Sequence, residues 1–231
     1  MKSDPQARAA KDAVRERVWA LLERERVARF PGARGRIPNF VGAEQAARRL
    51  AELPEWEVAC AIKANPDAPQ LPVRRAALAA GKTVYMAVPR LRAEKPFLTL
   101  ADDATIRARD GRPTSLDELE RIDLIVCGSV AVNRDGVRIG KGGGYSDLEF
   151  GLLVERGLIE ERTPIATTVH PLQLVDDELP ETEHDFRVDL IVTPSETIVT
   201  PRAPRPPGIL WHHLEPERVA AIPVLAAART P

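Results

Sequence analysis

The sequence predicts an α/β protein with a mainly parallel sheet, and three observations support this. Short apolar runs that suit buried strands alternate with helical segments along most of the chain. One strand, helix and strand follow each other over residues 56–88, which implies parallel pairing and a right-handed connection. A glycine-rich run at residues 138–147 lies between a strand and a helix, where open α/β sheets bind ligands.

The first half of the chain begins with one long amphipathic helix, predicted at residues 6–29 because Val14, Val18 and Leu22 recur at helical spacing. A Pro- and Gly-containing break follows at residues 30–35. The pattern then predicts a helix at 43–53, a strand at 56–62, a helix at 71–80 and a strand at 82–88. Residues 90–116 lack clean periodicity, and we expect a short strand near Thr105 and a turn at Asp110 there.

The second half supplies further strands and the helix after the glycine run. Ser146 stands three residues before Glu149, the spacing of a capping box that starts a helix. Strands are predicted at 122–126, with a continuation at 130–132, and at 164–169, 188–192 and 196–200. We take residues 1–200 as one α/β domain and residues 201–231 as a Pro-rich tail, extended and solvent-facing, with a short helix near 215–221.

Composition narrows the class of protein. The 33 basic and 34 acidic residues give a net charge of -1, which argues against a nucleic-acid-binding surface spread over the whole protein and leaves local basic patches open. No apolar run approaches the roughly 18 residues of a membrane helix, and the N-terminus has no signal-peptide core. Cys60 and Cys127 lie in apolar runs and are expected to be packed thiols. We therefore expect a cytoplasmic protein that binds neither membrane nor nucleic acid.

The glycine run is the main functional signal. Gly140, Gly142, Gly143 and Gly144 can adopt positive φ and let backbone N–H groups approach an anion closely. The helix that follows has a positive N-terminal end, so phosphate is the expected ligand. The spacing is neither a dinucleotide fingerprint nor a Walker loop. A mobile loop without a ligand is the alternative interpretation of such a cluster.

Several motifs around the glycine run occur in an order that is similar to a known family. They are found at residues 11–15, 81–85, 123–131, 173–180 and 184–193. Together with Gly-Gly-Gly-Tyr-x-Asp, they resemble the 5-formyltetrahydrofolate cyclo-ligase family, also called methenyltetrahydrofolate synthetase, and its paralogue branch. The resemblance implies a three-layer α/β/α sandwich, similar to ribose-5-phosphate isomerase and CoA-transferase folds.

The resemblance also implies an activity. In the family, the formyl oxygen of 5-formyltetrahydrofolate attacks the γ-phosphate of ATP, and ring closure then gives 5,10-methenyltetrahydrofolate. ATP and Mg²⁺ are the implied cosubstrate and cofactor, and a reduced folate or a related N-formyl compound is the implied partner. Either a monomer or a homodimer is compatible with the sequence.

Site residues follow from the resemblance position by position. Lys11 and Arg15, four apart on one helix, are expected to hold phosphates together with the four glycines and Ser146. Asp147 is assigned to Mg²⁺, with Asp189 as the second carboxylate. The remaining assignments are Arg138, Lys141 and Tyr145 to catalysis, and Asp67 and Tyr145 to the substrate.

Departures from the family pattern leave the substrate open. Residues 65–70 differ from the usual substrate segment, although Asp67 falls where an acid belongs, and Ser146 replaces a second Tyr. An enzyme, a nucleotide- or folate-binding paralogue without turnover, and a protein for another phosphate such as a sugar phosphate or CoA remain as alternatives.

The histidines are given structural roles. We expect His170 to be a satisfied structural residue, and His184 not to converge with its acidic neighbours on a metal. His212 and His213 in the tail are interpreted as a packing or partner contact.

Overall fold

The computed structural model of the chain describes residues 5–102, 104, 105, 107 and 111–228. It is an α/β/α sandwich, so the predicted fold class is confirmed. The seven helices in this described part are α1 (Pro5–Arg24), α2 (Ala43–Ala51), α3 (Pro54–Val58), α4 (Leu71–Ala79), α5 (Tyr145–Glu155), α6 (Pro216–Ala220) and α7 (Pro223–Ala228). None of them combines the length and apolarity that a membrane span requires.

Eleven strands occur in the same described ranges. They are β1 (Ala61–Ala64), β2 (Thr83–Ala87), β3 (Phe97–Thr99), β4 (Arg112–Thr114), β5 (Leu124–Cys127), β6 (Ala131–Asn133), β7 (Arg138–Ile139), β8 (Ile165–Thr168), β9 (Leu174–Val175), β10 (Leu190–Val192) and β11 (Thr197–Val199).

The main sheet has eight strands in the order β11-β10-β8-β5-β1-β2-β3-β4. The five central strands, from β10 to β2, pair in parallel, and antiparallel strands close both edges. These five strands are mostly apolar, and all their residues except Thr83 are buried, because helices cover both faces of the sheet. The parallel strands therefore all finish at the same end of the sheet, and the glycine run adjoins this carboxyl end.

Two apolar cores lie on the two faces of the main sheet. One packs α5, α6 and α7 against side chains such as Ile125 and Ile191, and the other packs α2, α3 and α4 against Ile62, Val84 and Leu190. A third core joins α1 to a small sheet of order β7-β6-β9. This small sheet carries β7 directly into the glycine run.

Several predicted boundaries change in the structure. Pro54 starts the short helix α3, so the strand predicted from residue 56 begins only at Ala61. The predicted continuation at 130–132 is β6, which belongs to the small sheet. Cys127 is buried as expected, but Cys60 is exposed. The expected turn at Asp110 lies outside the described residues, and Thr105, where a short strand is expected, lies in a bend.

The C-terminal segment packs on the protein, so its expected solvent-facing conformation is wrong for much of residues 208–228. The apolar side chains of Ile209, Leu214, Val219, Ile222 and Leu225 are buried in the same core as α5. The short helix predicted near 215–221 is α6, and α7 follows it. The boundary between a domain and a tail at residue 200 stays a prediction.

A capping box starts the short 3-10 turn at Leu116–Glu118. The backbone N–H and hydroxyl of Ser115 donate to the Glu118 carboxylate at 2.7 and 2.8 Å, and Lys95 contacts the same carboxylate. The Ser115 backbone hydrogen bond, followed by the bonds from Lys95 and from the Ser115 side chain, lowers the pKa of Glu118 to about 2.

Candidate active site

The glycine run forms a tight loop between β7 and α5. Gly142 has φ of 96° and Gly144 has φ of 63°, conformations that side chains with a Cβ rarely adopt. Gly144 is the N-cap of α5 and has no side-chain cap hydrogen bond among the described residues. The first amide groups of α5 are therefore left for an anion, as helix N-termini bind phosphate.

The predicted capping box from Ser146 to Glu149 is wrong. The helix begins at Tyr145, and the Ser146 hydroxyl accepts a hydrogen bond from the Asn65 side chain at 3.3 Å. Glu149 instead forms a buried ion pair with Lys63. Glycine at the N-cap fits this arrangement, since φ is positive there.

The first helix brings two cations to this site, as the sequence predicts for one helix face. Arg15 Nε donates to the Gly140 carbonyl at 2.7 Å, and its guanidinium carbon lies 3.4 Å from where a Cβ on Gly142 would be. One turn earlier, the Lys11 ammonium pairs with the Asp185 carboxylate and lies 3.3 Å from the Thr182 hydroxyl. Arg15 thus supports the loop directly, while Lys11 connects α1 to residues 182–185.

Arg138 lies behind the loop rather than on its surface. Its Nη2 is 2.6 Å from Asp147 Oδ1, its guanidinium stacks 3.9 Å from the Phe186 ring centroid, and only 5% of the residue is exposed. Such a bond between a buried guanidinium and a carboxylate fixes the orientation of the acid. The geometry shows Arg138 holding the Asp147 carboxylate, and its assignment to catalysis stays a prediction.

Asp147 and Asp185 form the carboxylate pair of the site. Burial raises the pKa of the Asp147 carboxyl, Arg138 opposes this, and the Asp185 charge raises that pKa further. Burial also disfavours the charged form of Asp185, but the Lys11 ammonium and bonds from Thr182 outweigh it and lower the pKa of Asp185. The two carboxyls therefore interact electrostatically across the site.

This pair fits Mg²⁺ by its chemistry. Among the described residues, Asp147 uses Oδ1 for Arg138, and Asp185 uses Oδ2 for Lys11 and Thr182. One carboxylate oxygen of each acid is thus outside these hydrogen bonds, and carboxylate oxygen is the ligand that Mg²⁺ prefers.

The assignment of Asp189 to the same metal is wrong. Asp189 precedes β10, and its carboxylate accepts from the Ile165 N–H at 2.8 Å and pairs with Arg205 at 2.7 Å. These contacts lie where β8 and β10 begin, whereas the glycine loop contacts Asn65, just after β1 ends. Because the strands are parallel, Asp189 lies at the amino-terminal end of the strands, whereas Asp147 lies at their carboxyl end.

The predicted substrate acid is held by the loop itself. Lys141, on the glycine run, donates to Asp67 at 2.7 Å, so the two assigned residues come together as an ion pair. Arg74, which is 1% exposed, donates to the carbonyl groups of Asn65, Pro66 and Asp67. The altered segment at 65–70 is therefore a fixed wall beside the glycine loop.

Two contacts at this site have weak or no signals in the sequence. Lys63 is 2% exposed, bonds to Asn65 Oδ1 at 2.6 Å and pairs with Glu149, so a strand lysine anchors α5 to β1. Arg218 from α6 donates to the Gly143 carbonyl at 2.5 Å and lies 5.2 Å from the Tyr145 ring. A lysine in an apolar run hints at the first contact, whereas no local pattern predicts the second.

Fold and site together define an α/β/α protein with a basic, glycine-lined anion cradle beside two carboxylates. Comparison with known proteins agrees with this class. The family model described as "5-formyltetrahydrofolate cyclo-ligase family" matches residues 7–194. The chain therefore belongs to the 5-formyltetrahydrofolate cyclo-ligase family, which confirms the resemblance.

Individual relatives place the chain within that family. It is 40% identical over 243 residues to a methenyltetrahydrofolate synthase domain-containing protein of Mus musculus, covering 98% of this chain and 65% of the relative. It is 33% identical over 111 residues to the mitochondrial 5-formyltetrahydrofolate cyclo-ligase of Arabidopsis thaliana, covering 46% of this chain and 40% of the relative. This chain thus spans less than two thirds of either protein.

A solved structure supports the fold. The NMR structure of Aquifex aeolicus 5,10-methenyltetrahydrofolate synthetase superposes with a TM-score of 0.54 at 18% identity, covering 90% of this chain and 99% of that one. At this identity the match shows a common fold and nothing about activity.

Proposed function

We propose that this chain is an Mg·ATP-dependent cyclo-ligase that converts 5-formyltetrahydrofolate, or a close N-formyl compound, to 5,10-methenyltetrahydrofolate. One observation carries the proposal: the glycine loop joins Arg15 of α1, which bonds to the Gly140 carbonyl, to Asp147 at the start of α5, whose carboxyl interacts electrostatically with the Lys11-paired Asp185. A triphosphate with its metal needs this combination of backbone amides, basic side chains and carboxylates.

The reaction begins with a phosphoryl transfer. The formyl oxygen attacks the γ-phosphorus of ATP, the bond to the β-γ bridging oxygen breaks, and ADP leaves. The N10 nitrogen then adds to the activated formyl carbon and loses its proton, after which the carbon–oxygen bond breaks and inorganic phosphate departs. Oxygen becomes a good leaving group only after it is phosphorylated.

The chain contributes positioning and charge to these steps. Arg15 supports the loop whose amide groups would face the phosphates, and Lys141 adds a cation at its outer side, where 45% of its side chain is exposed. Asp147 and Asp185 would hold Mg²⁺, which neutralises phosphate charge when bound. Arg138 keeps the Asp147 carboxylate oriented. Such preorganised electrostatics supply most of the catalysis in phosphoryl transfer.

A second candidate is an ATP- or folate-binding paralogue without turnover. The Asp67–Lys141 ion pair favours it, since the acid expected to contact the substrate is already neutralised by the loop. Under this alternative, ATP or 5-formyltetrahydrofolate raises the melting temperature and no product forms.

Turnover separates the two candidates. Purified protein is mixed with Mg·ATP and 5-formyltetrahydrofolate, and the near-ultraviolet absorbance of the methenyl product is followed together with ADP. We expect product and ADP in equal amounts, and a loss of about a hundredfold or more in Arg15→Gln. Arg8→Gln, an exposed position on the same helix, is the matched control and should retain full activity. Absence of product while ATP still binds would favour the paralogue.

A further inference from the structure

Three of the four histidines in the chain lie together beside the carboxylate pair. His212 and His213 end the 3-10 turn at Trp211–His213 in the C-terminal segment, and they meet the 183–185 segment that carries Asp185. This cluster has no role in the proposed cyclo-ligase reaction.

Glu183, His212 and His213 converge geometrically. Each offers one ligand atom, and these three atoms all lie within 4.8 Å of one another. The His212 and His213 ring centroids are 4.2 Å apart, and His213 Nε2 is 3.8 Å from Glu183 Oε2. A distance of 3.8 Å is too long for a hydrogen bond.

Two buried ring nitrogens among these histidines are unpartnered within the described residues, while His184 Nε2 lies 3.1 Å from the Thr182 hydroxyl. His213 Nδ1 is buried without a hydrogen-bond partner in the described part of the chain, and the same holds for His184 Nδ1. The His184 ring packs edge-on against that of His213, with centroids 6.1 Å apart. Buried polar nitrogens are normally bonded, so the His213 ring keeps unused bonding capacity within the cluster.

We propose that Glu183, His212 and His213 bind a transition-metal ion of the Zn²⁺ class. Two imidazoles and one carboxylate form a common zinc ligand set, and a fourth position stays open to water. In a tetrahedral site with bonds of about 2.1 Å, ligand atoms lie about 3.4 Å apart. The observed separations need only small side-chain rotations to reach that value.

The ligand types separate this site from the carboxylate pair. Imidazole nitrogen suits Zn²⁺ and its neighbours in the first transition row, whereas Mg²⁺ prefers oxygen ligands alone. The two sites can therefore be loaded independently. This inference does not depend on the proposed cyclo-ligase activity.

The ion would attach the C-terminal segment to the body of the protein. Glu183 lies two residues before Asp185, and His213 lies five residues before Arg218. The ion would therefore join the segment that carries Asp185 to the segment that carries Arg218, and both of these residues belong to the candidate active site. Binding would further stabilise the packing of residues 208–228 and with it the contact between Arg218 and the Gly143 carbonyl.

Calorimetry with a tag-free protein of residues 1–231 tests this proposal. The protein is stripped with a chelator and titrated with ZnCl₂ in a background of Mg²⁺ that occupies oxygen-only sites. We expect one zinc ion per chain, and an affinity that falls by more than about tenfold in His213→Gln and in Glu183→Gln. His170→Gln and the exposed Glu178→Gln serve as matched controls that keep the wild-type affinity.

Hydrogen exchange provides a second measurement. Zinc should slow amide hydrogen exchange in residues 208–228 of the wild type and not in His213→Gln. A zinc-free melting temperature equal to that of the wild type is the control that this variant folds. Zinc binding that is unchanged in both ligand variants, or an absence of zinc binding, would overturn the proposal and leave Glu183 and His213 as a simple ion pair.

Discussion

The buried Lys63–Glu149 ion pair offers a quantitative test of how α5 is attached to the sheet. Lys63 projects from β1 and Glu149 from the second turn of α5, and their side chains are 2% and 7% exposed. Replacing Glu149 by Gln leaves a buried ammonium without its counter-charge. Lys63 keeps one hydrogen bond, to Asn65 Oδ1 at 2.6 Å.

The expected loss of stability follows from this burial. Breaking a buried ion pair by removing one partner costs about 3–5 kcal/mol, because the remaining charge stays desolvated. Since Asn65 still accepts from Lys63, we expect a value of about 3 kcal/mol for Glu149→Gln. For a chain of this length that corresponds to a fall in melting temperature of about 6–12 °C.

Thermal and urea unfolding followed by circular dichroism measure this loss. The matched control is Glu160→Gln, which breaks an ion pair with Arg121 whose side chains are 53% and 61% exposed, and which should change stability by less than about 1 kcal/mol. The double change Lys63→Met and Glu149→Leu removes both charges and should recover most of the loss. Equal effects of the buried and exposed single variants would refute the reasoning.

Three further predictions concern the site and the pH dependence. Asp185→Asn should weaken Mg·ATP binding by about tenfold or more in calorimetry, whereas Asp189→Asn should not; the reverse order would restore the original metal assignment. Gly142→Ala should weaken ATP binding because a Cβ at its positive φ strains the loop beside the Arg15 guanidinium, whereas Gly157→Ala, also at positive φ but with no atoms within 4 Å, should only lose stability. Equal ATP affinity in the two glycine variants would contradict a role for the loop. The Glu118 carboxyl should titrate near pH 2 by NMR. Because its folded pKa lies below its ordinary value of 4.5, its stabilising effect is full above pH 4.5 and is lost as the pH falls towards 2. Titration near pH 4.5 would show that the capping box does not form.

Local sequence patterns predicted the parts of the fold that depend on local chemistry. Apolar runs located the buried parallel strands, and the glycine cluster located the loop between β7 and α5. The four-residue spacing of Lys11 and Arg15 placed both on one face of α1, which the structure directs to the loop and to Asp185. These features are set by periodicity or by backbone conformation within a few residues.

Features that depend on long-range contacts could not be predicted in this way. Asp185 and Asp189 are both acids near β10. Only the direction of the strands shows that Asp189 lies where they begin, at the end of the sheet away from the glycine loop. Arg218 reaches Gly143 across 75 residues because the C-terminal segment packs on the core, which its proline content does not indicate. The helix start at Tyr145 depends on the positive φ of Gly144, which overrides the apparent capping box at Ser146.

A structure of the protein with Mg²⁺ and a non-hydrolysable ATP analogue tests the central claim most directly. We expect phosphates along Gly140 to Gly144, close to Arg15, and a metal ion coordinated by carboxylate oxygens of Asp147 and Asp185. A nucleotide bound away from the glycine loop, or a metal held at Asp189, would contradict it.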